Sequence, residues 1–143
     1  MRELYLKPFE IAIKEGHAMG IMSAYSLIGD TWTGGSKALL TDLTRTEWGF
    51  EGFVVSDAWA GNVFQPAVQA AYNGGDLMLG FGYNPSTYWD ELEVNHDEFR
   101  EALKVCAKNV LTAVMKTKAF SEVIGSEENI GLETSELFSV EKL

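Results

Sequence analysis

One carboxylate, Asp57, stands where a short apolar run ends and a loop begins. The run Phe53–Ser56 is the clearest predicted strand, because apolar and β-branched residues occupy successive positions. In parallel α/β folds the carboxyl ends of strands form the functional face, and a carboxylate there loses hydration unless it has partners or a chemical role. Two interpretations of Asp57 follow from its position: a catalytic carboxylate, or a residue that caps the following loop through backbone N–H groups.

Three aromatic residues lie on the same predicted face. Tyr25 follows the preceding predicted strand, where its hydroxyl could donate a hydrogen bond to Asp57; the alternative is a packed ring with its hydroxyl at the rim. Trp32 and Trp59 lie in loops, where indole rings stack on the C–H faces of sugars; the alternative is packing in the core. We therefore expect Tyr25, Trp32 and Trp59 to form a substrate-binding surface around Asp57.

Other kinds of site find less support. The sequence has no His-x-x-x-His or Cys-x-x-Cys spacing, so neither a metal nor a cofactor is expected. Cys106 and Trp48 are expected in the core. Gly80 and Gly82 make only a weak version of the glycine-rich loop of a phosphate-binding barrel, and the overall negative charge argues against that class.

Composition restricts the partners. The 143 residues suit one domain, and 21 acidic against 11 basic residues give a net charge of −10. Such a surface repels phosphate backbones and anionic lipids, so we expect neither nucleic acid nor membrane as a partner. A single cysteine excludes an internal disulfide, and the N-terminal residues lack the apolar region of a signal peptide, so a cytoplasmic location is expected.

The elements that must position these residues alternate between helix and strand. Strands are predicted near residues 20–24, 53–57 and 76–79, and residues 29–35 and 80–94 are expected as loops. A helix over 8–15 is expected to close with a left-handed Gly16, and Ser36 is expected to cap a helix over 37–47. A third helix precedes Asn73, and the longest begins with a capping box of Asn95 and Glu98.

Strands separated by helices imply right-handed crossovers and a parallel sheet. The expected fold class is α/β, a partial (β/α)₈ barrel with three parallel strands, because a complete barrel needs about 250 residues. We expect this partial barrel over residues 1–120. Residues 121–143, with six glutamates and one lysine, are expected to form an acidic tail or arm.

Five blocks in this order resemble glycoside hydrolase family 3. They extend over about residues 2–118, and the block that ends at Asp57 is the most specific. The blocks are RELYLKPFE from Arg2, MSAY from Met22, KALLT from Lys37, EWGFEGFVVSD from Glu47 and NGGDLML from Asn73.

The resemblance implies a function and a place in a larger barrel. It makes Asp57 the catalytic nucleophile of a retaining glycosidase, places Tyr25 near it, and identifies the three strands with strands six to eight of a (β/α)₈ barrel. The general acid/base and the other sugar-binding motifs of the family have no counterpart in this chain. The chain is therefore most similar to the C-terminal part of a circularly rearranged member, and we expect it to be inactive alone.

The expected substrate is a β-glucoside or related β-glycoside cleaved from its non-reducing end, with xylosides and N-acetylglucosaminides as alternatives. The competing function is a non-catalytic barrel segment for assembly or weak sugar binding. Ser26, where the family usually has Asn, and Ala58, where it usually has an aromatic residue, favour that alternative. Unpaired strand edges predict self-association or binding to the remainder of the enzyme.

Overall fold

The structure is a computed structural model that describes residues 1–58, 67–79 and 86–124. Two π-helical segments, Arg2–Leu6 and Ala38–Glu47, and a 3₁₀ turn, Thr33–Gly35, accompany the regular elements. In chain order these regular elements are α1 (Lys7–Lys14), β1 (Gly20–Met22), β2 (Leu27–Ile28), β3 (Thr31–Trp32), β4 (Phe53–Val55), α2 (Ala67–Asn73), α3 (Ser86–Val94), α4 (His96–Met115) and α5 (Lys118–Ile124).

A parallel pair of strands lies at the centre of the fold. β1 pairs with β4 in a register that matches Gly20 with Phe53 and Met22 with Val55. Close approach of the two segments requires a glycine at position 52, because a Cβ there would lie 2.2 Å from the carbonyl oxygen of Met19. The α/β alternation expected from the sequence is therefore present in the first half of the chain.

The third predicted strand is represented in the described residues by one parallel bridge, so two of the three expected parallel strands are formed there. Leu77 joins Val55 through an isolated parallel bridge. The N–H of Ser56 donates to the carbonyl of Leu77 at 2.9 Å, but the N–H of Val54 donates to the carboxylate of Asp76 at 2.7 Å. The ladder stays short because a side chain takes the position that a backbone carbonyl would occupy in a longer strand.

A small antiparallel hairpin replaces part of the expected loop at residues 29–35. Leu27 pairs with Trp32, and Ile28 pairs with Thr31. The two residues of the connection begin with Gly29, whose φ of +65° suits the first central position of a tight hairpin turn.

The described residues from Ala67 onward are mostly helical, and they correct two further expectations. α3 occupies a region expected to be a loop, because Tyr88 packs on Phe99 of α4 with ring centroids 5.2 Å apart. The Asn95 side chain does not form the expected capping box with Glu98. Its amide instead donates to the carboxylate of Glu91 at 2.8 Å, because α3 ends immediately before Asn95.

Helix ends also show one confirmed and one wrong expectation. The Ser36 hydroxyl accepts a hydrogen bond from the N–H of Leu39 at 3.3 Å, as expected for a capping serine. At the end of α1, His17 and not Gly16 adopts the left-handed conformation, with a φ of +51°. Gly16 instead provides space, because a Cβ there would lie 2.8 Å from the carbonyl oxygen of Ala12.

Two clusters of buried residues form the core of the part of the chain that the structure describes. Trp48 and Cys106 are both buried, as expected. The first cluster joins α1 and Ala38–Glu47 to β4 and contains Ile13, Leu40, Leu43, Trp48, Phe50 and Val54; the second joins α2 to α4 and contains Ala71, Phe99 and Cys106.

Candidate active site

Asp57 follows β4 and is half-buried. Alternation along the chain places Val54 and Ser56, at 1% and 3% exposure, toward the core, and places Asp57 on the less covered side with Val55. One carboxylate oxygen, Oδ1, accepts a hydrogen bond from the N–H of Ala58 at 2.6 Å. The loop-capping contact considered for Asp57 is therefore present, and it occupies one of the two oxygens.

Tyr25 comes after the strand that pairs with β4. Because β1 and β4 are parallel, both strands end at the same edge of the sheet. Tyr25 follows Met22 by three residues, and Asp57 follows the partner of Met22, Val55, by two. The structure thus brings the backbone positions of Tyr25 and Asp57 to the carboxyl-terminal end of the sheet, and the Tyr25 side chain is half-buried there.

Trp32 lies in β3 and is half-buried. Its neighbour Thr33 ties the hairpin to the loop that carries Tyr25: the N–H of Thr33 donates to the carbonyl of Ser26 at 3.0 Å, and its hydroxyl donates to the carbonyl of Ala24 at 2.6 Å. Trp32 therefore belongs to a segment anchored beside the Tyr25 loop. Trp59, the remaining predicted substrate-binding residue, lies outside the described residues.

The hydroxyl of Ser56 connects Asp57 to the segment that follows Asp76. Ser56 Oγ accepts a hydrogen bond from the N–H of Leu79 at 2.8 Å and donates to the carbonyl of Asp57 at 3.0 Å. Ser56 is not among the site residues predicted from the sequence. The available signal was its position one residue before Asp57 and in phase with Val54.

A buried ion pair, also missed from the sequence, holds the strand that leads to Asp57. The side chain of Asp76 is fully buried and pairs with the guanidinium of Arg45. It also accepts hydrogen bonds from the N–H of Val54 at 2.7 Å and from Asn109 Nδ2 at 2.8 Å. Burial raises the pKa of the Asp76 carboxyl, and the bonds from Asn109, Val54 and Arg45 oppose that effect.

Arg45 also donates hydrogen bonds to two backbone carbonyl groups. Its guanidinium donates to the carbonyls of Gly52 at 2.9 Å and Gly74 at 3.2 Å, and it lies 5.5 Å from the ring centre of Phe50. Among the described residues its buried Nε has no hydrogen-bond partner. The arrangement joins the entries of β4 and of the Asp76 segment, so it fixes two of the chain segments at the sheet edge.

An apolar groove of about 410 Å³ runs beside the edge of β1 that faces away from β4, where no strand of the described residues pairs. Among the described residues, its lining contains hydroxyl groups but no charged side chain, and Asp57 is not one of the lining residues. The lining includes Tyr5, Phe9, Met22, Leu27, Leu39 and Trp48. This chemistry suits the packing of an apolar element more than the binding of a free sugar, whose hydroxyls need polar partners.

In the described ranges there is no group of three or more His, Cys, Asp or Glu side chains that could hold a metal ion. Across those ranges, too, no helix has both the length and the apolar character needed to cross a membrane.

Comparison with known proteins gives one consistent result. The profile of the glycosyl hydrolase family 3 N-terminal domain matches residues 1–79, a stretch that contains Asp57, Tyr25 and Trp32. A β-glucosidase of Ruminococcus albus is 31% identical over 91% of this chain, and one of Rhizobium radiobacter is 45% identical over 90% of it. The matched part of the chain corresponds to only 15% and 14% of the length of these two relatives.

The fold gives the same result as the sequence. The structure of β-glucosidase 3B from Thermotoga neapolitana in complex with glucose superposes with a TM-score of 0.72 and 30% identity. The superposition covers 85% of this chain and 18% of the other.

Proposed function

The chain belongs to glycosyl hydrolase family 3, and we propose that it supplies the nucleophile of a retaining β-glycosidase. Asp57 is the nucleophile in this proposal, and the substrate is a β-glucoside or related β-glycoside cleaved from its non-reducing end. The observation that carries the proposal is a half-buried carboxylate at the carboxyl end of a parallel strand, held through one oxygen by the N–H of Ala58.

The hydrogen bond to Oδ1 assigns different tasks to the two carboxylate oxygens. Oδ1 keeps the carboxylate in one orientation, and Oδ2 attacks the anomeric carbon. A bond forms between that carbon and Oδ2 while the glycosidic C–O bond breaks, and the departing oxygen takes a proton from a general acid. Water then attacks the anomeric carbon, gives its proton to the same group acting as a base, and releases Asp57 as a free carboxylate.

The general acid comes from outside this chain. Retaining glycosidases hold their two carboxyl groups about 5–5.5 Å apart, so the missing acid must come within that distance of Asp57. General acid catalysis contributes roughly 10²–10⁴-fold to such reactions. Because the proposal places this acid outside the chain, it includes the further proposal that residues 1–143 are inactive alone.

The aromatic residues complete the proposed sugar site. In the complete enzyme, we propose, the hydroxyl of Tyr25 donates a hydrogen bond to Asp57 from the neighbouring strand end, and Trp32 and Trp59 stack on the apolar faces of the sugar. The parallel ends of β1 and β4 and the anchored β3 hairpin support the placement of Tyr25 and Trp32.

The remaining expectations concern the whole polypeptide. We propose that residues 1–120 form three strands of a (β/α)₈ barrel, the third completed when neighbouring strands are present, and that residues 121–143 form an acidic arm. The open edge of β1 and the apolar groove beside it support pairing with further barrel strands or with a second copy. The single cysteine is compatible with a cytoplasmic location.

The competing function is a non-catalytic segment used for assembly or weak sugar binding. The observation that favours it is the contact between Asp57 and Ala58, because a carboxylate that serves only to cap a loop makes the same bond. The two functions differ in whether Asp57 forms a covalent bond with a sugar.

Covalent labelling distinguishes the two functions. An aryl 2-deoxy-2-fluoro-β-glucoside is incubated with the chain alone and with a chimera in which the chain replaces the matching segment of the Rhizobium radiobacter β-glucosidase. Mass spectrometry of peptides should find the sugar on Asp57 in the chimera. The chain alone should release no aryl group from the substrate. Asp57→Asn should abolish the label, whereas Asp42→Asn, an exposed carboxylate paired with Lys37, should leave it unchanged. An active chimera labelled at another residue would contradict the proposal.

A further inference from the structure

Ser56 makes two hydrogen bonds that end at the peptide group of Asp57. The N–H of Leu79 donates to Ser56 Oγ, and Ser56 Oγ donates to the carbonyl of Asp57, at 2.8 and 3.0 Å. The same peptide group, from the carbonyl of Asp57 to the N–H of Ala58, donates through that N–H to Asp57 Oδ1 at 2.6 Å. The chain of contacts thus runs from Leu79 through Ser56 to the carboxylate of Asp57.

We propose that Ser56 is a positioning residue that orients the Asp57 carboxylate through the peptide plane between Asp57 and Ala58. A peptide group is planar, so a hydrogen bond that directs its carbonyl also directs its N–H. Because the Ala58 N–H holds Oδ1, fixing the Asp57 carbonyl fixes the direction in which the second oxygen points. This inference rests on the proposed role of Asp57 as nucleophile.

The hydroxyl of Ser56 suits this task because it both accepts and donates. A serine hydroxyl carries one donor and two acceptor sites, and here the donor and one acceptor are used. At 3% exposure the hydroxyl is screened from competing water, and consecutive hydrogen bonds in such a place strengthen one another. We call the two hydrogen bonds of Ser56 Oγ, from the N–H of Leu79 and to the carbonyl of Asp57, the relay. Leu79 lies two residues past the bridge between Leu77 and Val55. The relay therefore couples Asp57 to the segment that follows the buried carboxylate Asp76.

Threonine and valine make a matched pair of substitutions at this position. They have nearly the same shape, but only threonine keeps the hydroxyl. Ser56→Thr should preserve the relay, and Ser56→Val should break it at both bonds. Ser23 provides a control, because it is also buried at a strand end and its hydroxyl donates to Val55, one position away from the relay.

The first measurement uses the chain of 143 residues and does not depend on activity. In ¹⁵N-labelled protein, the amide of Ala58 should report the titration of the Asp57 carboxylate through a pH-dependent chemical shift, and Asp57→Asn should remove that dependence. We expect Ser56→Thr and Ser23→Val to retain it and Ser56→Val to lose most of it. A full pH-dependent shift in Ser56→Val would overturn the inference. If the amide spectrum of Ser56→Val collapses, Ser56→Ala takes its place and is judged by the same criterion.

The second measurement uses the chimera that labels at Asp57. The rate constant for labelling should fall about 10- to 100-fold in Ser56→Val relative to Ser56→Thr, with little change in the concentration for half-maximal labelling, because misdirected attack lowers rate more than binding. Equal rates in the two variants would overturn the positioning role while the proposed function stands. A label on another residue would remove the proposed function, and the amide titration would still decide whether Ser56 orients Asp57.

Discussion

Two aspartates on neighbouring segments have opposite surroundings. Asp76 is fully buried and accepts from Arg45, Val54 and Asn109, so its charge is matched by donors fixed in the fold. Asp57 is half-buried, and the N–H of Ala58 holds one of its oxygens. A carboxylate with its oxygens saturated holds structure together, whereas one held through a single oxygen can still react. This contrast supports the proposed role of Asp57 as the nucleophile and a structural role for Asp76.

Removing the buried carboxylate should be costly. In Asp76→Ala the guanidinium of Arg45, with its side chain 16% exposed, loses its charged partner, and breaking a buried pair on one side costs about 3–5 kcal/mol. We expect the free energy of unfolding in urea to fall by that amount. Glu51→Ala is the control: it removes an exposed pair with Lys116 and should cost less than about 1 kcal/mol. Similar losses in the two variants would contradict the structural role of Asp76.

The thiol of Cys106 should make the free energy of unfolding decrease at alkaline pH. Burial raises the pKa of this thiol from its ordinary value of 9.0 to about 12. The folded chain therefore holds the proton more tightly than the unfolded chain, so the stabilisation is complete below pH 9 and is lost as the pH rises toward 12.

Unfolding in urea from about pH 8 to about pH 11 measures this effect. The free energy of unfolding should decrease more steeply in wild type than in Cys106→Ala, by up to about 1.4 kcal/mol per pH unit above pH 9. The difference between the two proteins removes the contributions of all groups that both contain. Parallel curves for the two proteins would show that the thiol titrates alike in both states.

At the scale of elements, some structure could be predicted from local pattern and some could not. β4 and the long helix α4 were expected because their own residues carry the apolar periodicity. α3 was missed because its register depends on a remote contact, the ring of Tyr88 against Phe99. The third strand was overestimated because the Asp76 carboxylate, paired with Arg45, takes the N–H of Val54.

The candidate site shows the same division. Asp57 and Tyr25 were predicted because each follows an apolar run, and parallel pairing of those runs brings their backbones to one edge. Ser56 and the ion pair of Arg45 with Asp76 were missed because their partners are 23 and 31 residues away along the chain. A single sequence gives the type of each residue but does not give such pairings.

Pairing of β1 with β4 should depend on the absence of a side chain at position 52. In Gly52→Ala the new Cβ would lie 2.2 Å from the carbonyl oxygen of Met19, a backbone atom that can move only if the strands separate. We expect a loss of about 1–3 kcal/mol or more, measured by thermal and urea unfolding. In Gly35→Ala the nearest atom is 3.2 Å away at the flexible Gln69 side chain, so this control should lose less. Equal losses would mean that the strands separate easily.

At the scale of the whole molecule, apolar surface is concentrated beside the edge of β1 that faces away from β4, which has no partner strand among the described residues. Met22 on β1 is 57% exposed, and Phe9 and Leu27 beside the same groove are exposed as well. The chain spans about 15% of the length of the curated relatives that it matches. An open parallel edge with an apolar groove readily accepts another strand, and a second copy can provide one when no other barrel strand is present.

Self-association of the isolated chain should therefore depend on the edge of β1. Light scattering after size-exclusion chromatography should show mass increasing with protein concentration, and Met22→Lys should reduce it by placing a charge at the edge. Val105→Lys on α4 is a matched control, because Val105 is 56% exposed but lies away from the groove. A monomer at every concentration, or equal effects of the two lysines, would contradict this use of the edge.

Self-association should not make the isolated chain active toward substrate. A copy that pairs along β1 adds a strand but brings no general acid into place, so turnover of an aryl β-glucoside should stay near the buffer rate at every concentration. The leaving-group series makes the test specific: an activated aryl group needs little acid assistance, and a simple alkyl glucoside needs the full assistance worth roughly 10²–10⁴-fold. Hydrolysis of the activated substrate alone, abolished by Asp57→Asn, would mean that copies assemble a nucleophile site without an acid. Hydrolysis of both substrates would mean that the chain contains its own acid, which contradicts the proposal that the acid lies elsewhere.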